Sequence, residues 1–423
     1  MTCNEQRQQA EQAMMANGIS GKFAAWMVGL ALLGITALIV LGGLHTLTKP
    51  VESVNRTSHG ALYVKDNQLY MAPKKGTPLA VARLHEDAGA VSASDVDMVK
   101  ITANGKKLFY GANEQNGAFT LYTCPTKEIA TGQQVVSQEV TAFSIEDFGN
   151  FVVFSRGGAL FYTDGEKEME IAPAAAEFAV GGDRKTVVYT VYAEDGTFSL
   201  YRWHCSNGEL ELIDTSITRM ACELRMTDNL FYCKDGALWV ADAKGRKRTL
   251  LDGVGAQGST DRKGEYYYQL EGQGNDTLCR YTVKNNKLDN RKVITTGIHT
   301  FSIGSGGVVM EGGNVDTPQL SLYNGKKIYQ VSERTASGQY AFWGSDLYFL
   351  DWYDGAQGGT LTRFRRGNKK ALDTGVVSVD PLATKRIVYL KTNGELYESG
   401  TRKTRRIDMG VHAICRPEHL PGV

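Results

Sequence analysis

Residues 185–201, KTVVYTVYAEDGTFSLY, carry the pattern that decides the fold of this chain. A β-branched run ends in an aromatic residue at Val187-Val188-Tyr189, a polar turn follows, and a second run closes with Leu200-Tyr201. Runs of β-branched and aromatic residues on either side of an Asp-Gly turn are typical of antiparallel hairpins. The segment therefore predicts two neighbouring strands of an antiparallel sheet.

The first-strand phrase recurs nine times along the chain. The occurrences are Leu62-Tyr63-Val64, Leu108-Phe109-Tyr110, Val152-Val153-Phe154, Val187-Val188-Tyr189, Leu230-Phe231-Tyr232, Tyr266-Tyr267-Tyr268, Val308-Val309-Met310, Leu347-Tyr348-Phe349 and Ile387-Val388-Tyr389. Tyr63 and Tyr389 are 326 residues apart, so the eight steps average about 41 residues, the length of a four-stranded propeller blade. A solenoid would give a similar period, but strand-only units favour a propeller. We therefore predict an all-β fold, a β-propeller of eight or nine four-stranded blades.

A second period of two units is superimposed on the first. Long and short hairpins alternate, and Tyr110, Tyr189, Tyr267 and Tyr348 are 79, 78 and 81 residues apart. If the strands of a blade are labelled A (innermost) to D, the first unit begins at its B strand. The extra segment Val411–Cys415 resembles the A strands of other units. We expect it to complete the first blade and so to close the propeller without an exposed edge.

The phrases of the form L-Y-x-x-x-x-x-L-Y, as in residues 62–70, resemble those of TolB-like and WD40-like propellers of bacterial envelope proteins. The resemblance is to membrane-anchored members of unknown function in particular, and it covers residues 60–423. It implies a propeller fold and a location in the cell envelope. It provides no catalytic residue to transfer to this chain.

Residues 23–44, FAAWMVGLALLGITALIVLGGL, contain no charged side chain. As a helix they would span roughly 33 Å, close to the thickness of a bilayer's hydrocarbon core. The apolar run is longer than that of a signal peptide and lacks a small-residue cleavage pattern, so we expect an uncleaved anchor rather than a signal peptide or a core helix. The predicted domains are a polar cytoplasmic head (1–22), a transmembrane helix (23–45), a tether (46–59) and the propeller (60–423).

The orientation of the anchor rests on a weaker signal. Arg7 and Lys22 precede the apolar run, and Lys49 and Arg56 follow it, so the positive-inside count is nearly balanced. A long polar domain after one N-terminal span is usually exported. We therefore expect a single-pass protein of the cell membrane, with its N-terminus in the cytoplasm and its propeller outside the cytoplasm.

Charged residues of the predicted loops sort by sign between the two faces of the propeller. The A–B and C–D turns are mainly basic, and the candidate membrane-facing residues are Arg246, Lys247, Arg248, Arg365, Arg366, Arg405 and Arg406. Because the anchor enters on this side, the sorting suggests a basic face toward anionic lipid or wall polymer. The alternative is that these are ordinary solvated turns.

The B–C loops on the opposite face are acidic and contain exposed aromatic candidates. The candidate ligand-binding residues are Asp351, Trp352, Tyr353, Asp354, Glu194 and Asp195. An aromatic ring beside carboxylates can stack on a sugar or hold a cationic or peptide ligand. The alternative is that Trp352 packs against the neighbouring blade.

Two cysteines are candidates for a disulfide. A two-residue turn at Thr227-Asp228 would place Cys222 directly opposite Cys233, within reach of a cross-strand bond in an exported protein. Two buried free thiols are the alternative. The remaining cysteines of the body show no metal-ligand spacing.

The sequence contains no catalytic or cofactor signature. The nucleophile-elbow, zinc-protease, phosphate-loop and dinucleotide-binding patterns are all absent from it. A net charge of +1 argues against nucleic acid as a partner. We therefore expect no cofactor and no metal site. The function favoured is a binding or scaffold module for a protein, a peptide or a cell-wall glycan. The alternative is a propeller enzyme, a glycan lyase or hydrolase, with a site at the central axis.

The predicted orientation can be tested by protease protection on intact cells. A tag placed after Val423 should be removed by external protease, because the propeller is expected outside the cytoplasm. The same tag should survive if the propeller is cytoplasmic, even though the protein remains in the membrane fraction. A tag before Met1 is the internal control and should be protected in the predicted orientation.

Overall fold

The computed structural model describes residues 60–415 with internal gaps, all of them within Thr48–Val423, the second of two compact units of the chain. The gaps are residues 74–75, 85–97, 103, 130, 182, 221–229, 243–244, 253–256, 262–264, 272–275, 285–286, 305, 344, 384–385 and 401–402. The predicted head, transmembrane helix and tether lie outside the described residues. Within the described part, no helix is long and apolar enough to cross a membrane.

The described residues form antiparallel strands, as predicted. The first eleven are β1 (Ala61–Lys65), β2 (Gln68–Ala72), β3 (Leu79–Arg83), β4 (Val99–Ile101), β5 (Lys107–Gln115), β6 (Ala118–Pro125), β7 (Gln134–Ile145), β8 (Val152–Arg156), β9 (Ala159–Thr163), β10 (Glu168–Ala172) and β11 (Glu177–Val180). The next eleven are β12 (Thr186–Tyr192), β13 (Phe198–His204), β14 (Leu210–Ile217), β15 (Arg219–Met220), β16 (Leu230–Lys234), β17 (Ala237–Ala241), β18 (Lys247–Asp252), β19 (Gln257–Thr260), β20 (Tyr266–Glu271), β21 (Asp276–Lys284) and β22 (Lys287–Gly304). The last eleven are β23 (Gly307–Gly312), β24 (Gln319–Tyr323), β25 (Ile328–Ser332), β26 (Thr335–Trp343), β27 (Asp346–Asp354), β28 (Gly358–Arg365), β29 (Asn368–Ala383), β30 (Arg386–Lys391), β31 (Leu396–Gly400), β32 (Thr404–Asp408) and β33 (Ala413–Ile414).

The strands form three four-stranded and three seven-stranded sheets within the described ranges. Each seven-stranded sheet contains one long strand, β7, β22 or β29, that serves two repeats: it is the D strand of one and the A strand of the next. The repeats are unit 1 (β33 with β1–β3), unit 2 (β4–β7), unit 3 (β7–β10), unit 4 (β11–β14), unit 5 (β15–β18), unit 6 (β19–β22), unit 7 (β22–β25), unit 8 (β26–β29) and unit 9 (β29–β32). The shared strands join a long-hairpin unit to the short-hairpin unit after it, which is the predicted pairing. The number of blades stays a prediction.

One leucine on the C strand marks the centre of every unit. The nine residues are Leu69, Leu121, Leu160, Leu200, Leu238, Leu278, Leu320, Leu361 and Leu396, and none is more than 1% exposed. Burying such a side chain contributes roughly 1.5–3 kcal/mol. These leucines also fix the equivalence between units, because each has a defined partner on the B strand.

The leucine frame corrects the predicted alignment of two units. On the C strand, the residue that follows the central leucine pairs with one residue of the B strand. This B-strand residue is Tyr110 in unit 2 and Tyr189 in unit 4. The equivalent residues in units 6 and 8 are Gln269 and Phe349, not Tyr267 and Tyr348. The corrected spacings are 79, 80 and 80 residues, more regular than the predicted ones.

Aromatic pairs connect the B and C strands at this frame position. Tyr63 stacks on Tyr70 with ring centroids 5.4 Å apart. The same stacked pair forms in four further units, at 5.4–5.6 Å, between Tyr110 and Tyr122, Phe154 and Phe161, Tyr189 and Tyr201, and Tyr389 and Tyr397. Directly opposed aromatic residues stabilise antiparallel strands, which explains why the sequence repeats this phrase.

The predicted closure by the C-terminal strand is confirmed. β33 pairs antiparallel with β1, with Ile414 opposite Tyr63, so the first unit is completed by the last strand. The backbone N–H of His412 donates to the carbonyl of Val64 at 2.9 Å and extends this ladder. Leu396 of unit 9 and Ile414 belong to one buried cluster with Tyr63.

A polar contact, here called the junction clip, joins the D strand of one unit to the B strand of the next. At the closing junction, Asp408 accepts hydrogen bonds from the Tyr63 hydroxyl at 2.7 Å and from Lys65 Nζ at 3.0 Å. Two internal junctions have the same three residue types: Asp214 with Tyr232 and Lys234, at 2.7 and 2.9 Å, and Asp373 with Tyr389 and Lys391, at 2.9 and 3.0 Å. The closing junction is therefore built like an internal one.

The hydrogen bonds of the junction clips stabilise the ionised form of the aspartates that accept them. Burial alone would raise the pKa of Asp408, but the bonds from Tyr63, Lys65 and the backbone N–H of Met409 outweigh it and hold the pKa below its usual range. The pKa values of Asp214 and Asp373 are lowered by the same balance. Burial first, and then the neighbouring carboxylate, raises the pKa of the Tyr63 hydroxyl, so it stays a donor.

Replacing the closing carboxylate should destabilise the fold as much as replacing an internal one. Asp408→Asn and Asp373→Asn each remove a charge-assisted acceptor, and each should lower the free energy of unfolding by about 1.5–3 kcal/mol. The measurement is denaturant unfolding of the full chain in detergent, followed by tryptophan fluorescence. A much smaller loss for Asp408→Asn would contradict closure by this clip.

The same clips make the fold acid-sensitive. Because the folded pKa values lie below the unfolded value near 3.9, their contribution is complete above that value and is lost as pH falls through the folded values. Unfolding titrations between pH 7 and pH 2 should therefore show a smaller loss of stability for the Asn variants than for the wild type. Asp195→Asn is the control, since its bonds stay within one exposed turn, and it should lose stability on acidification nearly as the wild type does.

Candidate ligand-binding site

A cavity of about 380 Å³ opens where units 8, 9 and 1 meet. Its walls come from the tip of the β27–β28 hairpin, from strands β29 and β30, from the β30–β31 turn and from the connection into β33. The lining residues are Gly355, Ala356, Val377, Leu390, Lys391, Thr392, Gly394, Gly410, Val411 and His412. Because B–C loops and a D–A connection form it, the cavity lies on the face where the sequence predicted a ligand.

The cavity lies between two junction clips. Lys391 lines it and is held by Asp373 of one clip at 3.0 Å. Gly410, on the opposite wall, lies beside Lys65 of the closing clip, since a Cβ added at Gly410 would be 3.8 Å from Lys65 Cε. Both lysine charges are therefore compensated by a carboxylate within the fold, and the two clips fix the cavity walls.

Gly394 and Gly410 allow the two turns that form one wall to approach each other. Both have positive φ values, +76° and +70°, which L-residues rarely adopt. A Cβ at Gly394 would lie 3.4 Å from the backbone of Gly410. The Val411 N–H donates to the Gly394 carbonyl at 3.0 Å and fixes this contact.

Trp352 is the most exposed aromatic residue that the sequence had proposed for this face. It is 63% exposed, so it does not pack under the neighbouring blade. Its φ is +55°, a left-handed conformation that is strained for a bulky residue. The equivalent position in unit 2 is Asn113, with a φ of +57°, and asparagine tolerates this conformation. The hairpins of units 2 and 8 therefore share a left-handed backbone at this position, and a tryptophan adopts it less easily than an asparagine.

Asp351 does not face a ligand, contrary to the sequence-based expectation. It is only 7% exposed, accepts a hydrogen bond from the Ser332 hydroxyl at 2.6 Å and pairs with Lys369 at 3.1 Å. Ser332 lies on the D strand of unit 7, so Asp351 occupies the B-strand position of unit 8 at which units 1, 5 and 9 have the clip lysine. Tyr353 is half-buried and packs against the core cluster of units 8 and 9.

The remaining acidic candidates mainly cap turns. Asp354 accepts the N–H of Ala356 at 2.9 Å, and these backbone bonds lower its pKa. Asp195 accepts the hydroxyl and the N–H of Thr197 at 2.5 and 2.9 Å, which lower its pKa in the same way. Glu194 is exposed beside it. Glu194 and Asp195 belong to unit 4, so they are not part of the cavity formed by units 8, 9 and 1.

The predicted basic face is largely neutralised within its own surface, which corrects the sorting by sign. Five of the seven candidates pair with a carboxylate: Arg246 with Asp242, Lys247 with Asp214, Arg365 with Asp346, Arg405 with Glu398, and Arg406 with Glu395, at 2.7–3.4 Å. Arg248 is half-buried and Arg366 is exposed. The sequence-based sorting overlooked carboxylates such as Asp346, which lies at a strand start rather than in a turn.

The register predicted for the disulfide is not the one found. Arg219 lies opposite Cys233, and Cys233 is a buried free thiol. Cys222 lies outside the described residues. The hairpin between β15 and β16 therefore gives no support to a bond between these cysteines.

Among the described residues, no group of three or more His, Cys, Asp or Glu side chains could hold a metal ion. His412 is exposed on the rim, and sequence reasoning missed it together with Thr392 and the glycine turns. The repeated pattern Asp-x-Gly/Ser-Val/Ile occurs at Asp408–Val411. This pattern in the sequence could have identified the segment as the connection into the closing strand.

Comparisons with known proteins support the fold. No protein-family model and no curated protein matches the chain. A solved structure described as the eukaryotic initiation factor is similar over 85% of this chain and 98% of its own, with 8% identity and a TM-score of 0.59. Dihydro-heme d1 dehydrogenase NirN in complex with DHE is similar over 77% of this chain and 75% of its own, with 12% identity and a TM-score of 0.50.

A putative TolB from Agrobacterium tumefaciens is also similar, over 47% of this chain and 83% of its own, with 16% identity. Its TM-score of 0.33 is too low to favour one type of propeller over another. All three identities are far below the level at which function can be transferred. Together with the sheet topology, the two better likenesses place this chain among all-β proteins with a propeller-like fold.

Proposed function

We propose that this protein is a non-catalytic binding module whose partner docks on the face formed by the B–C and D–A connections. The partner is a protein, a peptide or a cell-wall glycan. The apolar run at residues 23–44 holds the module in the membrane as a single-pass anchor, with the propeller outside the cytoplasm. The anchor and the orientation rest on the sequence alone.

The observation that carries the proposal is the exposed, strained Trp352 on the hairpin that forms one cavity wall. Exposing a large aromatic ring to water and placing it on a left-handed backbone are each unfavourable. At the equivalent position of unit 2 the left-handed residue is Asn113, which adopts this conformation more easily. Such combinations are common where a ligand uses the side chain. Residues 355–356 of the same hairpin line the cavity, so Trp352 lies three residues along the chain from one cavity wall.

The enzyme alternative, a lyase or hydrolase acting at the propeller axis, has a different requirement. It needs acidic, basic or imidazole side chains that converge on one cavity. The cavity at units 8, 9 and 1 is instead lined mainly by glycine backbone, aliphatic carbons and a lysine paired with Asp373. These groups suit recognition more than acid-base chemistry, so we favour the binding module.

Site-specific photocrosslinking in the native membrane tests the proposed face. A benzoylphenylalanine introduced at Trp352 should give a discrete adduct in cells that express the full chain. The matched control is the same substitution at Arg366, which is also exposed and left-handed, with a φ of +50°, but lies at the opposite end of the same sheet. Adducts at Arg366 but not at Trp352, or at neither position, would contradict the proposal.

A further inference from the structure

We infer that the ligand of this face is a neutral glycan, with one sugar ring stacked on Trp352 and an adjoining ring in the cavity between units 8, 9 and 1. This inference rests on the proposed binding function and names its ligand class. It follows from the charge, the lining and the backbone hydrogen bonds of the cavity.

The charge of the cavity argues for a neutral ligand. Lys391 is bonded to Asp373 and the neighbouring Lys65 to Asp408, each at 3.0 Å. Breaking either clip to hold an anionic ligand would leave an aspartate without its cation and would weaken a junction between units. A cationic ligand would in turn meet Lys391 in the lining and would have to compete with it for Asp373. A neutral ligand leaves both clips intact.

The residues that line the cavity provide both apolar and polar groups, as a sugar ring with its CH faces and hydroxyl edges requires. The half-buried Val377 offers aliphatic carbon, beside the almost fully buried Leu390 and Val411, and the exposed Thr392 and His412 offer polar atoms. A pyranose has CH-rich faces and hydroxyl edges, so it needs this mixture. The volume of about 380 Å³ lies within the range of small-molecule pockets.

The backbone argues against an extended peptide. A peptide that adds to a sheet takes affinity from free main-chain donors and acceptors. Around this cavity the donors are already used: Thr392 N–H bonds to the Gly375 carbonyl at 2.9 Å and Gly394 N–H to the Lys391 carbonyl at 3.0 Å. The N–H groups of Val411 and His412 are likewise bonded within the fold. Recognition must therefore come from side chains and from stacking.

Trp352 supplies the stacking surface. Its ring is 63% exposed, and it lies on the same hairpin as Gly355 and Ala356 of the cavity wall. The nearby carboxylates, Asp351 and Asp354, are occupied by Lys369 and by backbone N–H groups. A sugar ring on Trp352 therefore meets a neutral aromatic face rather than an open acidic site.

Calorimetric titration of the full chain in nanodiscs tests the inference. The neutral probes are chitohexaose, cellohexaose and maltohexaose, and the anionic probe is an oligogalacturonate of matched length. At least one neutral probe should bind, and more tightly than the anionic probe. Trp352→Asn should weaken that binding at least tenfold, because it removes the ring but keeps a residue suited to the left-handed backbone.

The matched control is Tyr192→Asn. Tyr192 occupies the position equivalent to Trp352 in unit 4 and is 47% exposed, but it lies away from the cavity. Its substitution should leave glycan affinity unchanged. Thermal unfolding should show Trp352→Asn to be at least as stable as the wild type, because asparagine suits the left-handed backbone, and this separates lost binding from lost folding.

Three results would overturn the glycan inference: no binding of any neutral probe, tighter binding of the anionic probe, or unchanged affinity in Trp352→Asn. The proposed binding function is judged separately by crosslinking at position 352. A discrete protein adduct there, without glycan binding, would keep the binding face and replace its ligand by a protein. The absence of both adduct and glycan binding would remove the two proposals together.

Discussion

The structure depends on polar bonds between successive units that are wholly or partly buried. Apolar packing between neighbouring sheets does not fix how far one sheet is shifted along the other. A carboxylate that accepts hydrogen bonds from both a tyrosine hydroxyl and a lysine does fix it, because both donors reach the carboxylate in one relative position only. Asp214, Asp373 and Asp408 provide this constraint at three junctions. Unit 8 uses the reverse arrangement, with Ser332 donating to Asp351. Because a broken clip leaves a wholly or partly buried charge unpaired, each clip disfavours a shifted position of the neighbouring unit.

These clips also explain why the candidate site lies where it does. The cavity walls include Lys391 and Gly410, which belong to or adjoin two consecutive clips. Sites on rigid supports hold their geometry better than sites on isolated loops. Among the described residues, Trp352 is the only aromatic residue with a left-handed backbone, and it follows the buried Asp351 near the end of β27.

Much of the architecture was predictable because it repeats. The B-strand phrase, the alternation of long and short hairpins and the closing strand Val411–Cys415 all follow from periodic sequence, and the sheet topology agrees with them. The alignment of units 6 and 8 was wrong because runs such as Tyr266-Tyr267-Tyr268 offer several equivalent aromatics. Asp351 was misread since alternation along a strand does not tell which carboxylate faces the next unit. The cavity could not be predicted, because its walls are brought together only by the closing junction.

Closure by the last strand sets the order in which the protein can be completed during synthesis. The bond between Tyr63 and Asp408 joins residues 345 positions apart. At about 5–20 residues per second, the ribosome needs roughly 20–70 seconds to make that length. For this time β1 has no partner on its inner side, although the units behind it can already form from local hairpins. The first unit made is thus the last to be finished, and its open strand edge must be shielded from other chains until the closing strand has been made.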